Sequence, residues 1–287
     1  RHQRTLANPI AVDGFGYWSG KDVRIEFRPA APDTGIHFVR GDLETPGRIP
    51  AVVAHRVEIP RRTTLSTAHG TVEMVEHVMA ALAGLRIDNC EVWANQAERP
   101  GCEGSSQRFV DALLDAGIVD QPTYRPRLTV SETVRVGDEK CWVEAQPSNH
   151  AGLSIRYRLD YGNESPIGRQ TIQTALTPEV FRRELAPART FILQQEADWL
   201  RAQGLGQRVT CRDLLVFDDA GTVDNPLRFE DECVRHKALD LVGDLALAGC
   251  DIHGHIVAFR SGHRLNADLV RALLAEEQIV EEFRRIA

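Results

Sequence analysis

Gln121-Pro122-Thr123-Tyr124-Arg125-Pro126 divides the chain, because this stretch carries two prolines, shows no hydrophobic periodicity and separates two segments with the same order of predicted elements. It is predicted to be a linker. We therefore place a domain boundary here, with one domain over residues 1–124 and a second over residues 125–287. A chain of 287 residues is long enough for two domains of modest size.

Before the boundary, strands come first and helices follow. Alternating apolar and polar residues predict strands over residues 23–27 and 36–39. Apolar residues at helical spacing predict helices over residues 72–85 and 106–116.

After the boundary the same order returns. Strands are predicted over residues 128–136, 141–146 and 153–159, and helices over residues 230–248 and 266–282. Strands followed by helices, twice, predict an α+β fold with two domains, each a sheet covered by helices on one face.

Composition and charge exclude several classes of protein. Hydrophobic residues make up 43% and charged residues 26% of the chain, which is typical of globular proteins and rules out collagen-like or wholly disordered chains. The net charge of -7 has the wrong sign for a protein held mainly by nucleic-acid phosphates or an anionic membrane surface. We therefore expect no nucleic-acid partner.

Hydropathy and cysteine usage indicate the compartment. The sequence has no stretch of 18 or more apolar residues, and residues 1–4 lack the apolar core of a signal peptide. We expect a cytoplasmic protein with no integral membrane association. The six cysteines form no CxxC pair, which predicts reduced thiols and no cysteine-based zinc site.

The helix predicted over residues 230–248 carries a histidine and two carboxylates on one stripe. His236 and Asp240 are four residues apart, so their side chains leave the helix on one face and can bind a single metal ion. Asp244 continues the stripe. The alternative is a solvated helix face with an ion-paired histidine, and this helix alone does not decide between the two.

Two further segments offer groups of the same kind. Glu76 and His77 are adjacent within an apolar helix, where they form either a core hydrogen bond or a metal ligand beside a general base. His263 lies in a glycine-containing turn before the last helix, with Asn266 placed to cap that helix, and a histidine in such a place is often merely exposed.

Together the three segments meet the requirements of a zinc site for amide hydrolysis. Two histidines and a carboxylate leave a fourth metal position open for water. A neighbouring carboxylate can take a proton, a protonated histidine can give one to a leaving amine, and a lysine or threonine can stabilise an oxyanion.

Several long motifs occur in the order typical of one family. They are QRTL at 3–6, GFGYWSGK at 14–21, VEHVMAALAGLRIDN at 75–89, ARTF at 188–191, LRFEDE at 227–232, VRHK at 234–237 and SGHRLN at 261–266. On these motifs the chain resembles, over nearly its whole length, the zinc-dependent UDP-3-O-acyl-N-acetylglucosamine deacetylases of lipid A biosynthesis.

The resemblance implies both a fold and a metal site. The implied fold has two domains, each a β-α-α-β layer, with helices packed between two sheets and the active site at the domain interface. The implied zinc ligands are His77, His236 and Asp240. Zinc is the expected cofactor, although Fe²⁺ can occupy the same ligand set.

The resemblance also implies roles for neighbouring side chains. Glu76 is expected to be the general base, and His263 the protonated general acid or electrostatic stabiliser. Asp244 is expected to orient His263 and to keep it protonated. Thr190 is expected to stabilise the oxyanion and Lys237 to bind the substrate.

Substrate-binding residues are where the chain departs from the family. Phe191 is expected to bind substrate, and Glu196 stands where the family usually has an aspartate near the lysine. Trp18 replaces a usual histidine, Ile192 replaces a glycine, and Gln207-Arg208 replaces a glycine pair, which is expected to crowd or reshape the nucleotide surface.

Residues 161–177 lie where the family is expected to place an insert that shelters a fatty acyl chain. Their apolar content is thin for such a tunnel, which leaves a shorter acyl group, or none, as an alternative.

Three hypotheses about activity follow. The favoured one is removal of acetyl from UDP-3-O-acyl-N-acetylglucosamine by a monomer, because every residue of the hydrolytic set is present. The second is deacetylation of a different N-acetylated sugar or sugar nucleotide. The third is a non-catalytic homologue, against which the retention of Glu76 and His263 argues.

Overall fold

The structure is a computed structural model that describes residues 1–286, with side chains described as far as Glu276. It confirms the α+β class. The strands are β1 (His2–Leu6), β2 (Ile10–Phe15), β3 (Asp22–Pro29), β4 (Ile36–Arg40), β5 (Gly47–Pro50), β6 (Arg56–Val57), β7 (Thr64–Thr67), β8 (Gly70–Glu73), β9 (Cys90–Ala94), β10 (Ile118–Tyr124), β11 (Arg127–Thr129), β12 (Val134–Gly137), β13 (Trp142–Gln146), β14 (Leu153–Asp160), β15 (Arg169–Ala175), β16 (Phe191–Leu193), β17 (Leu215–Asp218), β18 (Gly221–Thr222) and β19 (Asp251–Phe259). The helices are α1 (Glu76–Gly84), α2 (Gln107–Asp115), α3 (Pro178–Val180, continued by a π-helical turn over Phe181–Leu185), α4 (Gln194–Ala202), α5 (Glu232–Leu245) and α6 (His263–Ile286), with 3-10 turns at Val53–His55 and Ala246–Ala248.

The N-terminal half is built on a five-stranded sheet in the order β2-β3-β9-β4-β5. Strands β4 and β9 are parallel, and the other neighbours are antiparallel. In β3, Val23, Ile25 and Phe27 are fully or almost fully buried, whereas Arg24 between them is exposed. This period of two gives the sheet an apolar face toward the helices and confirms the strand predicted there.

The C-terminal half is built on a second sheet in the order β12-β13-β19-β14-β15, with β11 pairing alongside β19. The single strand predicted over residues 128–136 was wrong, because β11 pairs with β19 whereas β12 pairs with β13. Partner choice therefore divides a stretch whose local pattern looks continuous.

Helices α1, α2, α5 and α6 lie between the two large sheets, as the resemblance implied. Helices α1 and α5 pack on each other at the centre, α2 packs on β2 of the first sheet, and α6 packs on β12 and β13 of the second. Nearly every side chain of α1 and α5 is buried. Their polar residues are therefore enclosed, and each needs a partner.

Helix α1 begins later than predicted. Residues 70–73 form β8, and Met74 has a positive φ of 57°, which a right-handed helix does not accommodate. The prediction of a helix start at residue 72 was wrong, because the helical spacing of Val72 and Val75 arises by chance across a strand and a turn.

The predicted linker is in its first part a strand. Residues 118–124 form β10, which pairs antiparallel with β1, and the pairing is irregular between His2 and Arg4. Pro122 lies on β10 and has no backbone N–H to donate to a neighbouring strand. The β1–β10 pair accommodates it at this irregularity. The domain boundary at residue 124 stays a prediction.

Residues 191–222, which we call the insert, carry a separate small sheet in the order β16-β17-β18 together with α4. Residues 161–177 are not part of this insert. The second part of this segment is β15, which pairs with β14 at the edge of the second large sheet. Among the described helices, none combines the length and apolar character needed to cross a membrane.

Candidate active site

Helices α1 and α5 bring His77, His236 and Asp240 together. The nitrogen and oxygen atoms that these side chains offer all lie within 4.8 Å of one another, and all three residues are buried. Asp240 Oδ1 lies 3.4 Å from Nε2 of each histidine. The three side chains therefore converge on one point.

His236 is prepared to act as a neutral ligand. Its Nδ1 lies 3.1 Å from the carbonyl oxygen of Ala188, so Nδ1 carries the proton and donates it there. The lone pair is then on Nε2, which faces His77 and Asp240. Burial lowers the pKa of His236 to about 4, which keeps the imidazole uncharged at neutral pH.

Asp240 presents one free carboxylate oxygen to the two histidines. Its Oδ2 accepts a hydrogen bond of 2.7 Å from Lys237 Nζ, whereas its buried Oδ1 has no hydrogen-bond partner among the described residues. Burial alone would raise the pKa of Asp240, but the positive charge of Lys237 and the contact with His77 hold it well below its usual range. An ionised buried oxygen facing two imidazole nitrogens fits a divalent cation.

Glu76 lies beside this ligand set. Its Oε2 accepts a hydrogen bond of 3.0 Å from the backbone amide of Thr63, and its Oε1 lies 4.0 Å from Nε2 of His263. Burial raises the pKa of Glu76, while the neighbouring His263 and His77 oppose that shift. A carboxylate with a raised pKa is suited to accept a proton.

His263 and Asp244 form a charged pair, as predicted. His263 Nδ1 donates to Asp244 Oδ2 at 2.8 Å, and Asp244 is fully buried. Burial works against the charge of His263, but Asp244 outweighs it and raises the pKa of His263 to about 9. The imidazole is therefore protonated at neutral pH, with Nε2–H directed toward Glu76.

Thr190 and Phe191 reach the site from the start of the insert. The Thr190 hydroxyl lies 3.1 Å from His236 Nε2 and 3.0 Å from the carbonyl oxygen of Gly104. The Phe191 ring packs edge-on against His236 with centroids 6.2 Å apart. The preceding Arg189 is anchored by Glu232 through hydrogen bonds of 2.7 and 3.0 Å, which fixes where both residues emerge.

These groups lie in one cleft with a volume of about 1120 Å³. It is lined by Glu76, His77, Thr190, His236, Lys237, Asp240 and His263. Basic side chains also face it: Arg61, Arg169, Arg201, Arg260 and Arg264. Two further carboxylates, Glu58 and Asp160, line the cleft as well, and its basic side chains outnumber the acidic ones in a chain with a net charge of -7.

The sequence model of the family described as "LpxC: UDP-3-O-acyl N-acetylglycosamine deacetylase" matches residues 3–275. The chain belongs to this family. It is 40% identical over 275 residues to the protein of Chlamydia caviae named UDP-3-O-acyl-N-acetylglucosamine deacetylase, a match that covers 96% of this chain and 97% of that relative. Relatives with the same name from Thermosynechococcus vestitus and Brucella ovis are 41% and 37% identical, over 94% and 98% of this chain and 93% and 98% of their own.

Much of the apolar wall of the cleft in this LpxC family member comes from the insert. Residues 161–177 contribute Tyr161, Gly162 and Arg169. The insert supplies Ile192, Leu200, Leu205, Val209, Leu214 and Val216, and other segments add Ile59, Met74, Leu159 and Leu265. The buried side chains within residues 161–177, Ile167 and Ile172, belong to the core, and the acyl shelter expected from this segment stays a prediction.

The structure places Glu196 beside Arg61, with 2.9 Å between the carboxylate and the guanidinium, whereas Lys237 pairs with Asp240. Trp18 lines the cleft, and the Arg62 guanidinium lies 4.6 Å from its ring centroid. The bulky ring is thus held by a cation–π contact.

Gln207 and Arg208 make contacts away from the cleft. The Gln207 amide donates to the carbonyl of Arg201 at 2.7 Å. Arg208 donates to Asp22 at 2.6 Å and stacks on Phe15 at 4.3 Å, which ties the insert to the first sheet. Neither side chain is among the cleft-lining residues.

Sequence reasoning missed Thr63 and misplaced Asn266. Thr63 precedes β7 in a segment without periodic pattern, and no motif marked it. Asn266 was expected to cap α6, but the helix already begins at His263, and the Asn266 amide donates to Asp244 Oδ2 at 2.8 Å. Its carbonyl oxygen accepts from Ser261 at 3.0 Å.

Proposed function

We propose that this chain removes the acetyl group from UDP-3-O-acyl-N-acetylglucosamine, giving the free amine and acetate, as a step in lipid A biosynthesis. The observation that carries the proposal is the convergence of His77, His236 and Asp240 with Glu76 and His263 at one buried point of a large cleft. Membership of the LpxC family supports it, as do the names of the relatives.

The proposed cofactor is Zn²⁺, held by His77, His236 and Asp240. The unpartnered Oδ1 of Asp240 and the uncharged Nε2 of His236 fit such an ion, and Fe²⁺ suits the same ligand set. When bound, the ion supplies Lewis acidity toward the amide carbonyl and lowers the pKa of a coordinated water.

Glu76 and His263 divide the proton transfers between them. Glu76 takes a proton from the attacking water, because it is the carboxylate beside the ligand set and its pKa is raised. His263, charged through Asp244, offers Nε2–H to the developing negative charge. Glu76, once protonated, or His263 then gives a proton to the leaving amine. In this proposal the Thr190 hydroxyl stabilises the oxyanion.

Lys237, Phe191 and the insert hold the substrate in this proposal. The basic residues that line the cleft suit the negative charge of a nucleoside diphosphate. The aliphatic wall of the insert suits an acyl chain, whose burial contributes about 0.8 kcal/mol per methylene group. The ion pair between Glu196 and Arg61 orients the Arg61 side chain at the cleft.

We further propose a monomer in the cytoplasm, divided into two domains near residue 124. Cys90, Cys102, Cys141, Cys211 and Cys233 are free thiols, which suits a reducing compartment.

The test is acetate release from UDP-3-O-acyl-N-acetylglucosamine and from unacylated UDP-N-acetylglucosamine by protein loaded with Zn²⁺, with a chelated sample as control. We expect release from the acylated substrate, little from the other, and loss of activity on chelation. Release from both substrates alike would favour deacetylation of a different sugar nucleotide. No release from either would contradict the proposal.

A further inference from the structure

Thr63 contacts two of the proposed catalytic carboxylates at once. It lies just before β7 and is 1% exposed. Its hydroxyl donates to Asp244 Oδ1 at 2.6 Å, and its backbone amide donates to Glu76 Oε2 at 3.0 Å. One residue of the N-terminal half thus contacts both Asp244, which keeps His263 protonated, and Glu76, the proposed general base.

Among the described residues, the Thr63 hydroxyl is the donor on which Asp244 Oδ1 depends. The other two donors to this carboxylate, His263 Nδ1 and Asn266 Nδ2, both bond to Oδ2 at 2.8 Å. Asp244 is fully buried, so without Thr63 its Oδ1 would lack a donor among the described residues. A buried carboxylate oxygen without a donor is costly, and the side chain is then free to rotate toward another partner.

The backbone amide of Thr63 decides which oxygen of Glu76 faces the cleft. Because Oε2 accepts from this amide, Oε1 is the oxygen directed at His263 Nε2, 4.0 Å away. Asp244 sets the position of the His263 ring from the other side. The separation between the proposed base and the proposed acid is therefore fixed at both ends by the same residue.

We propose that Thr63 is a positioning residue that holds Glu76 and the His263–Asp244 pair in register for proton transfer. The proposal rests on the proposed function for its kinetic consequence. It is specific about atoms: the hydroxyl acts on Asp244, and the backbone amide acts on Glu76. Replacement of the side chain thus isolates the first contact and leaves the second in place.

Thr63→Val removes the hydroxyl at nearly constant volume, and Thr63→Ser restores it. Thr64→Val is a matched control, because Thr64 is the next residue, is also 1% exposed, and its hydroxyl has no hydrogen-bond partner among the described residues. With zinc-loaded protein, we expect Thr63→Val to lower kcat by about 10- to 100-fold, the usual effect of losing an outer-shell partner. KM and zinc content should stay near those of the wild type, Tm should fall by only a few degrees because one buried oxygen loses its donor, and Thr63→Ser should recover most of kcat.

A second readout does not depend on turnover. In metal-free protein labelled with ¹⁵N-histidine, the Nδ1 proton of His263 should move downfield in Thr63→Val, because Asp244, with one donor fewer, then accepts more strongly from this proton. Thr64→Val should leave the resonance in place. If the wild type released no acetate, the proposed function would fail, and this resonance would still decide the role of Thr63.

Two results would overturn the proposal. The first is an unchanged kcat together with an unmoved His263 resonance in Thr63→Val. The second is a loss of kcat that follows loss of zinc or a lower Tm and that Thr63→Ser does not repair, since this pattern shows a structural role only.

Discussion

A Cβ atom on residue 243 would lie 2.1 Å from the carbonyl oxygen of Glu76, and 3.2 Å from the amide nitrogen of Ala80. Gly243 of α5 therefore meets the backbone of α1, which cannot move away as a flexible side chain could. The close approach at this glycine is what brings Glu76 and His77 beside His236, Asp240 and Asp244. The metal site depends on this contact.

We expect Gly243→Ala to separate the two helices and weaken the metal site. Alanine favours a helix over glycine by about 1 kcal/mol, but overpacking a core costs about 1–3 kcal/mol. Because the clash is between the backbones of two helices, neither side can shift easily to relieve it. The free energy of unfolding and the bound zinc, measured by urea titration and metal analysis, should both fall. Gly262→Ala is the control for both quantities, because no atom lies within 4 Å of its Cβ position. Full zinc content in Gly243→Ala would contradict this role.

The pair Arg189–Glu232 is expected to contribute stability because it is buried. Glu232 is fully buried and accepts from the Arg189 guanidinium and from the backbone amides of Arg189 and Arg228. Glu232→Ala leaves a buried guanidinium uncompensated and should lower the free energy of unfolding by about 3–5 kcal/mol in urea.

Glu179→Ala is the exposed counterpart, because the Glu179 side chain is 84% exposed and pairs with Arg183 at 3.7 Å. It should change the free energy of unfolding by about 0–0.5 kcal/mol. Equal effects of Glu232→Ala and Glu179→Ala would show that burial does not determine how much the Arg189–Glu232 pair contributes to the free energy of unfolding.

The pH profile of kcat/KM should have two limbs. Activity requires an ionised Glu76, whose pKa is raised by burial, so the rate should fall as the pH decreases through that raised pKa. It also requires a protonated His263, so the rate should fall as the pH rises through about 9. His263→Gln should lower kcat by about 10²- to 10⁴-fold and remove the alkaline limb. An unchanged alkaline limb in this variant would exclude His263 as its source.

The aliphatic wall of the insert should determine affinity for the acyl group. Leu200 lines the cleft, whereas Trp199, the next residue toward the N-terminus, is 59% exposed and is not among the lining residues. Burial of a leucine side chain contributes about 1.5–3 kcal/mol, so Leu200→Glu should raise KM for the acylated substrate by about 10- to 100-fold. Trp199→Glu should leave KM near the wild-type value. A normal KM in Leu200→Glu would place the acyl chain elsewhere.

Local spacing was sufficient to predict part of the site. His236, Asp240 and Asp244 occur at intervals of four on one helix, so their common face follows from helix geometry alone. The partner helix does not follow from spacing. That α1 meets α5 depends on packing across about 160 residues of chain, and only the family resemblance supplied it.

The errors have the same physical origin. The ribbon of β1 and β10, the division between β11 and β12, and the late start of α1 are all decided by which segments pair in three dimensions. The Thr63–Asp244 contact joins residues 181 positions apart, one of them in a loop with no periodic pattern. Local sequence carries little information about such pairs.

We propose that Glu76, beside the His77–His236–Asp240 ligand set, carries the proton for deacetylation in this cleft. The most direct test of this proposal is acetate release from UDP-3-O-acyl-N-acetylglucosamine by zinc-loaded wild type and by zinc-loaded Glu76→Gln, with bound zinc measured in both samples. We predict equal zinc content and a rate about 10²- to 10⁴-fold lower in Glu76→Gln. Undiminished acetate release by Glu76→Gln at equal zinc content would contradict the account.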